Sequence, residues 1–489
     1  MNGDLFLVLA LLWPLLSGLS VLFLPVFAQR KTRNGFVGFA LLLQCALVAA
    51  AVCFPSRETI TVFTITRELP IVLAADGLGR FFAVLVTFMW TLAGFYAFDY
   101  MKHEERESRF FGCFLLTLFA LTGLCFSQSL VTFYLFYEAM TFLSMPLVFH
   151  TQTREAIAAG MKYLFFSIFG AMMGLLGIFY FAFAADSALF AAGGVLSGAP
   201  SAVTLVIAFV MIVGFGVKAG MFPMHAWLPT AHPVAPSPAS AVLSGVITKM
   251  GVLGIIRVIF YVVGADNLRG TWVQTAFAVL TLITVFMGSM LAYRTDLLKK
   301  RLAYSTVSQV SYVLFGLSTL TPVGFVGALL HIVFHSIIKD ALFMEAGAII
   351  EHSGKKYVSE LRGIGKQMPV TIWCFALCAL GLIGIPPTGG FVSKWSLALG
   401  ALGSNLSGMS IVGPAVLLVS ALLTAGYLMP VVINGFLPGE DFDYASSPKC
   451  EANALMLTPI VILSALCVLG GMFPGVLQAM FETLAGYVM

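Results

Sequence analysis

The sequence predicts an all-α polytopic membrane protein of about fourteen transmembrane helices, with two inverted five-helix repeats (helices 4 to 8 and 9 to 13) in which helices 7 and 12 are broken. Three observations predict it. Apolar residues make up 60% of the 489 positions and charged ones 10%, and the mean hydropathy is +0.99, which leaves too little polar surface to cover a soluble globule of this length. Apolar stretches of spanning length recur along the whole chain, and basic residues concentrate in alternate loops.

Stretches near the roughly 20 residues that a helix needs to cross a bilayer are placed at 4–25, 35–54, 78–99, 110–126, 129–150, 162–184, 202–224, 238–263, 273–292, 303–320, 323–350, 369–400, 411–436 and 455–485. The first lacks a basic leader and a small-residue cleavage site, so it is expected to stay as a permanent helix. The expected division is a three-helix segment over 1–109, repeats over 110–263 and 264–436, and a loop with the last helix over 437–489.

Orientation follows from retention of Lys and Arg on the cytoplasmic side. One set of alternate loops carries seventeen of them, Lys162, Lys299 and Arg301 included, and the other carries Arg57, Arg67, Arg80 and Arg269; five at membrane depth complete the 26. A helix count wrong by one would scramble this split, and an even count places both termini outside. The net charge of +4 is therefore a topology signal, with no implication of nucleic acid.

The eight cysteines, at 45, 53, 113, 125, 374, 378, 450 and 467, form no CxxC and fall mostly in apolar helices, so no redox centre, metal or cofactor is expected in this chain. Cys374 and Cys378 share a helix face but read as small core residues. The 47 glycines form no phosphate-cradling loop. If electrons or ATP drive this protein, they act through a partner.

Two helices are interrupted. After Lys218 the chain carries five prolines between Pro223 and Pro238, and before Lys394 it reads Gly384-Ile-Pro-Pro-Thr-Gly-Gly-Phe391. Irregular backbone at membrane depth survives only where protein or a water-filled cavity satisfies it, and paired breaks in corresponding halves point to an ion site. The breaks fall in the seventh and twelfth helices, five apart, which is the origin of the inverted-repeat expectation.

Lys218, Lys249, Arg257, Lys339 and Lys394 lie inside apolar runs, as do Glu138, His331 and His335. A charge at mid-bilayer costs about 2.5–3.5 kcal/mol on insertion scales, so such residues usually face a protein interior and mark ion or proton paths. Glu138 could be a structural acid paired with a lysine, or a partner of Lys218 whose charge tunes it. Lys218 is mid-helix with nowhere to snorkel. Lys249 and Lys394 read as lysines that lose and regain a proton. Arg257 cannot deprotonate and reads as structural. His331, His335 and Lys339 fall at i, i+4 and i+8, one helix face over about 12 Å, as a proton relay requires. Packing histidines and a zinc site are the alternatives, the latter without an evident third ligand.

The run Phe215-Gly-Val-Lys218-Ala-Gly-Met-Phe-Pro-Met-His-Ala-Trp-Leu-Pro-Thr-Ala-His232, continued by Pro236-Ser-Pro-Ala-Ser-Ala241 and Thr248-Lys-Met-Gly251, resembles the antiporter-like subunits of respiratory complex I, Mrp-type sodium/proton antiporters and membrane-bound energy-converting hydrogenases. Asp296-Leu-Leu-Lys-Lys-Arg-Leu-Ala-Tyr-Ser-Thr306 and the run from Gly384 to Lys394 resemble the same family, and the likeness spans essentially the whole chain. It implies Glu138 and Lys218 as the ion pair of a first half-channel, Lys249 as a bridging lysine, His331, His335 and Lys339 as a central relay, and Lys394 as the lysine of a second half-channel. It also implies a prokaryotic inner membrane and companion membrane subunits. Two departures stand out: no long lateral helix follows the fourteenth, and Asp340 puts an acid beside the relay.

The expected function is proton translocation as a non-redox subunit of a complex I-related pump of the NADH:quinone or hydrogenase type. A sodium/proton antiporter subunit without redox chemistry and a scaffold held by buried charges are the alternatives. No nucleophile–base pair marks a stand-alone enzyme.

Overall fold

A computed structural model describes residues 3–54, 59–66, 69–406, 408–440, 442–443 and 448–489. Arg57 and Arg67, counted above with the outer loops, lie outside the described residues. The chain runs through α1 (Gly3–Phe23), α2 (Arg30–Cys53), a hairpin of β1 (Ile60–Thr64) and β2 (Pro70–Leu73), α3 (Gly77–Tyr100), α4 (Glu107–Cys125), α5 (Leu130–Val148), α6 (Arg154–Ala184) and α7 (Ala202–Ala219). The short α8 (Leu228–Val234) follows the first break. Next comes one continuous span, Ser237–Val263, made of α9 (Ser237–Val242), a π turn, α10 (Thr248–Ile256) and a second π turn. After α11 (Ala265–Leu268) come α12 (Trp272–Arg294), α13 (Leu298–Ser318), α14 (Pro322–Ser353) and α15 (Ile364–Gln367). Helices α16 (Pro369–Ile383) and α17 (Gly389–Leu402) flank the second break; α18 (Met409–Phe436), α19 (Ala454–Met472) and α20 (Gly475–Val488) complete the order.

The caps that begin these helices are local chemistry. Asp76, Ser129, Thr153, Ser201, Thr321 and Asn453 each accept a backbone N–H from the first turn of α3, α5, α6, α7, α14 and α19. Among the described residues, twelve helices are long and apolar enough to cross a membrane. Two of the expected spans are not among them. Helix α13 turns Ser305, Thr306, Ser308, Gln309 and Ser311 into the core, which dilutes its apolar character, and the span expected over 369–400 is divided into α16 and α17.

Four expectations are corrected. A short hairpin, β1–β2, joins the otherwise helical fold. The last expected helix is interrupted at Phe473–Pro474, because proline cannot supply the next helical N–H, and gives α19 and α20. Lys162 lies two turns inside α6, since Thr153 caps that helix earlier than the apolar run suggests. Lys299 and Arg301 lie in the first turn of α13 and are buried rather than in a loop.

The centre of the fold is formed by the Ser237–Val263 span, whose apolar window is wholly buried, and by α14. Helices α1, α6 and α18 lie outside them and expose large apolar residues such as Leu16, Phe165, Phe183 and Leu422, as a lipid-facing layer must. Glycines set the helix spacing where backbones meet: a Cβ at Gly251 of α10 would lie 2.6 Å from the Phe215 carbonyl oxygen and 3.1 Å from Lys218 Cβ.

Arg257, expected to be structural, is held in an ion pair. Its guanidinium holds the Asp76 carboxylate through Nη1–Oδ2 at 2.5 Å and Nη2–Oδ1 at 2.9 Å, between the rings of Phe190 (4.8 Å) and Tyr261 (4.6 Å). Asp76 also caps α3, so the pair ties α3 to the end of the buried central span. Arg257→Leu should lower stability by about 3 kcal/mol, the low end for a broken buried pair because Asp76 keeps contact with water. Detergent-solubilised unfolding curves check this, and Asp76→Asn in the same background should add little.

Candidate functional site

Helix α7 ends immediately after Lys218. Gly220 adopts a left-handed conformation, and Met221 N–H closes on the Gly216 carbonyl at 2.9 Å, so Lys218 stands at a helix C-terminus, where the backbone dipole favours a cation. Its ammonium donates to Thr141 Oγ1 (2.9 Å), Tyr163 Oη (3.0 Å) and Ser167 Oγ (2.8 Å) and lies 4.3 Å from the Tyr163 ring centroid. Three donors are thus matched by three neutral hydroxyls. The direct Glu138–Lys218 ion pair is not formed: their charged atoms are not within 4 Å, and Glu138 Oε1 is buried without a hydrogen-bond partner. All three donors of the ammonium are taken by the hydroxyls of Thr141, one turn along α5 from Glu138, Tyr163 and Ser167, which leaves none for the carboxylate.

Lys249 follows the π turn Leu243–Ile247 on the buried span. Its Nζ donates to the Ser244 carbonyl at 2.6 Å and lies 2.7 Å from His335 Nδ1. The His335 ring stacks on His331 (5.9 Å between centroids, 21° between planes), and His331 Nδ1 lies 2.9 Å from Ser393 Oγ on α17. His331 stacks in turn on Tyr312 (5.6 Å), and Lys394 Nζ stands 4.8 Å from that ring's centroid. Lys394 donates to the Leu382 and Ile383 carbonyls, at 2.6 and 3.1 Å, where α16 ends at a left-handed Gly384. Both breaks therefore place a lysine against the carbonyl end of an interrupted helix.

Lys339 takes a different direction from the one its spacing predicts. It shares the helix face of His331 and His335, but its ammonium turns to α13, donating to Ser305 Oγ and to the Leu302 carbonyl (3.0 Å). Asp340 is fully buried with neither oxygen hydrogen-bonded, and a Cβ at Gly245 would lie 1.7 Å from its Oδ1. The acid is thus seated on the π turn that precedes Lys249.

Three side chains that the sequence did not single out join these contacts. His232 is fully buried, neither ring nitrogen has a partner, and its ring stacks on Phe343 (4.6 Å), the ring over which Lys339 stands at 6.0 Å. Its place in the proline-rich break was the available signal. Tyr312 and Ser393, which join His331 to Lys394 and α17, carried none. Two polar cavities of about 300 and 440 Å³ share Pro233, the residue after His232, in their linings. Glu104, Glu351 and Lys299 line the smaller; burial, reinforced by nearby Glu351, raises the Glu104 carboxyl above its ordinary range.

Residues 127–424 match the family described as NADH:quinone oxidoreductase/Mrp antiporter, transmembrane. The chain belongs to this family. Residues 64–111 match the NADH-ubiquinone oxidoreductase (complex I) chain 5 N-terminus. NADH-quinone oxidoreductase subunit N of Desulforudis audaxviator is 34% identical over 423 residues, covering 82% of each chain. A Na(+)/H(+) antiporter subunit of Alkalihalophilus pseudofirmus is 28% identical over 476 residues, covering 95% of this chain and 93% of its own. A chain in the Mrp complex of Dietzia superposes with a TM-score of 0.86 at 21% identity, over 99% of this chain and 97% of that one, which shows a common fold. This family member is an antiporter-like integral membrane subunit.

Gly245→Ala should destabilise this family member by about 1–3 kcal/mol through overpacking against Asp340. Combining it with Asp340→Ala should restore most of the loss, a non-additivity read by thermal unfolding of the purified variants.

Proposed function

We propose that this chain is the proton-translocating subunit of a complex I-related, redox-driven membrane pump, whose electron-transfer chemistry resides in partner subunits. One observation carries the reading: a contiguous series of contacts from buried Lys249 through His335, His331 and Tyr312 to half-buried Lys394, hydrogen-bonded at its first step and continued by ring contacts, with Ser393 held by His331. In this reading the chain crosses the membrane fourteen times as two inverted five-helix repeats, its basic loops are cytoplasmic and both termini are outside.

Protons are taken up from the cytoplasmic cavities beside His232, which bridges toward Lys339 and Lys249. They pass through the two stacked imidazoles and leave by Lys394. Lys218 is the switch. A turn of Glu138 toward Lys218 pairs the ammonium with a carboxylate and screens it, whereas a turn away leaves the Lys218 charge uncompensated and thereby lowers the affinity of Lys249 for its proton. Moving one charge against 100 mV requires about 2.3 kcal/mol, comparable with one or two pKa units at about 1.4 kcal/mol each, so switching of this size suffices.

Lys218→Ala, Lys249→Ala and Lys394→Ala should each reduce proton translocation by the reconstituted complex to background while leaving assembly intact. Loss of assembly with normal translocation per assembled complex would instead favour the scaffold role. His232→Ala should slow translocation by about tenfold or more, the scale of a lost proton-transfer group. The antiporter relative's coverage of 95% of this chain favours a second reading, sodium/proton exchange without redox chemistry. Sodium flux driven by a pH gradient, with no electron donor present, would select it; identification of co-purifying iron–sulfur subunits would select the first.

A further inference from the structure

An apolar groove of about 670 Å³ runs along α3, walled by α3, α14, α19 and α20. On α3 it extends from Gly77 to Met89, about 18 Å at 1.5 Å per residue, close to the roughly 15 Å of hydrocarbon in one leaflet. Short α20, set off by the Phe473–Pro474 break, forms the facing wall. Its Phe481 ring lies 4.9 Å from that of Phe81, and Leu484 Cδ2 would lie 2.8 Å from a Cβ at Gly77. Val84 and Phe88, 48% and 38% exposed, open the groove to the lipid-facing surface. From α14 it takes Val333 and Ile337, each two residues and so about 200° beyond a histidine of the row.

Two side chains of the lining are polar. Thr483 donates to the Ala479 carbonyl of its own helix at 2.9 Å, so the hydroxyl is already used, and water would find few partners between these walls. The other is Arg80, half-buried in the first turn of α3 at the end of the groove. Its Nε donates to the Ala75 carbonyl at 2.6 Å, which fixes the guanidinium, and no carboxylate lies within 4 Å of it among the described residues. Asp76, one turn earlier, is committed to Arg257. A guanidinium with its terminal nitrogens free, at the mouth of an apolar groove of leaflet depth, matches a phosphate joined to a hydrocarbon chain. We propose that the groove holds one acyl chain of a phospholipid whose phosphate rests on Arg80. The chain packs on Val333 and Ile337 and so backs α14 on the side away from His331 and His335.

That the outer leaflet supplies this lipid rests on the orientation proposed above, whereas binding in detergent depends neither on orientation nor on transport. The test titrates the intact complex in detergent with a phosphatidylglycerol carrying a photoreactive diazirine on one acyl chain, and maps the crosslinks by peptide mass spectrometry. Wild type should crosslink within residues 81–89 of α3 and 477–484 of α20. Arg80→Gln should need about tenfold more lipid for the same yield, the weight of one charge-assisted hydrogen bond. Val84→Trp fills the groove from a half-exposed position and should reduce these crosslinks to background; should it fail to accumulate, Thr483→Trp enters from α20 to the same effect. Crosslinks at lipid-facing Phe165 should be the same in every variant. A diacylglycerol with the same diazirine and no phosphate should bind more weakly and be indifferent to Arg80→Gln. Equal lipid binding by Arg80→Gln and wild type, as for a guanidinium that only reaches toward water, overturns the proposal. So does crosslinking in the groove that neither tryptophan reduces, or a groove that takes no probe because a companion subunit fills it.

Discussion

Every buried or half-buried ammonium at the centre of this fold must find its hydrogen-bond acceptors inside the protein, and that requirement organises the rest. Lys218 uses three hydroxyls from α5 and α6, Lys249 a π-turn carbonyl and an imidazole, Lys339 a carbonyl and a hydroxyl of α13, and Lys394 two carbonyls at the end of α16. None of these acceptors is a carboxylate. A lysine satisfied by neutral groups keeps a full charge poorly compensated, and its protonation responds to any acid that approaches.

The two breaks supply part of those acceptors. An interrupted helix leaves carbonyls unused at its end, and at this depth only protein groups or enclosed water can take them up. Lys218 sits in the final turn of α7, whereas Lys394 reaches across to the carbonyl end of α16. The helix that carries the histidines, α14, is unbroken, so its ladder of side chains keeps a rigid register between the two breaks. Rigid centre and broken flanks suit a path whose ends change partners while its middle only passes protons.

Much of this was legible in the chain. Apolar length placed the spans, proline and glycine marked both breaks, and spacing put His331 and His335 on one face. The same spacing misdirected Lys339: periodicity gives a helix face but not which neighbour the end of a long side chain reaches, and Ser305 and Leu302 of α13 claim it. Likewise Glu138 and Lys218 carry opposite charges, yet the Lys218 ammonium donates to Thr141, Tyr163 and Ser167 instead. Tyr312 was invisible because a single tyrosine on a helix face reads as packing. Lys299 and Arg301 looked like loop charges because the apolar run begins after them, while the helix begins before.

By itself the sequence determined the solvent, the helical class and the set of titratable groups at depth, since these follow from composition, length and period, which are properties of residues taken singly or along one helix. Only the tertiary structure decided which of those groups touch. The Lys249–His335 contact spans 86 positions and His331–Ser393 spans 62, and close packing of this kind depends on glycines such as Gly251, which lets backbones approach, and Gly245, which leaves room for the Asp340 carboxyl. Close packing between distant segments is a property of the whole fold, and no local pattern encodes it.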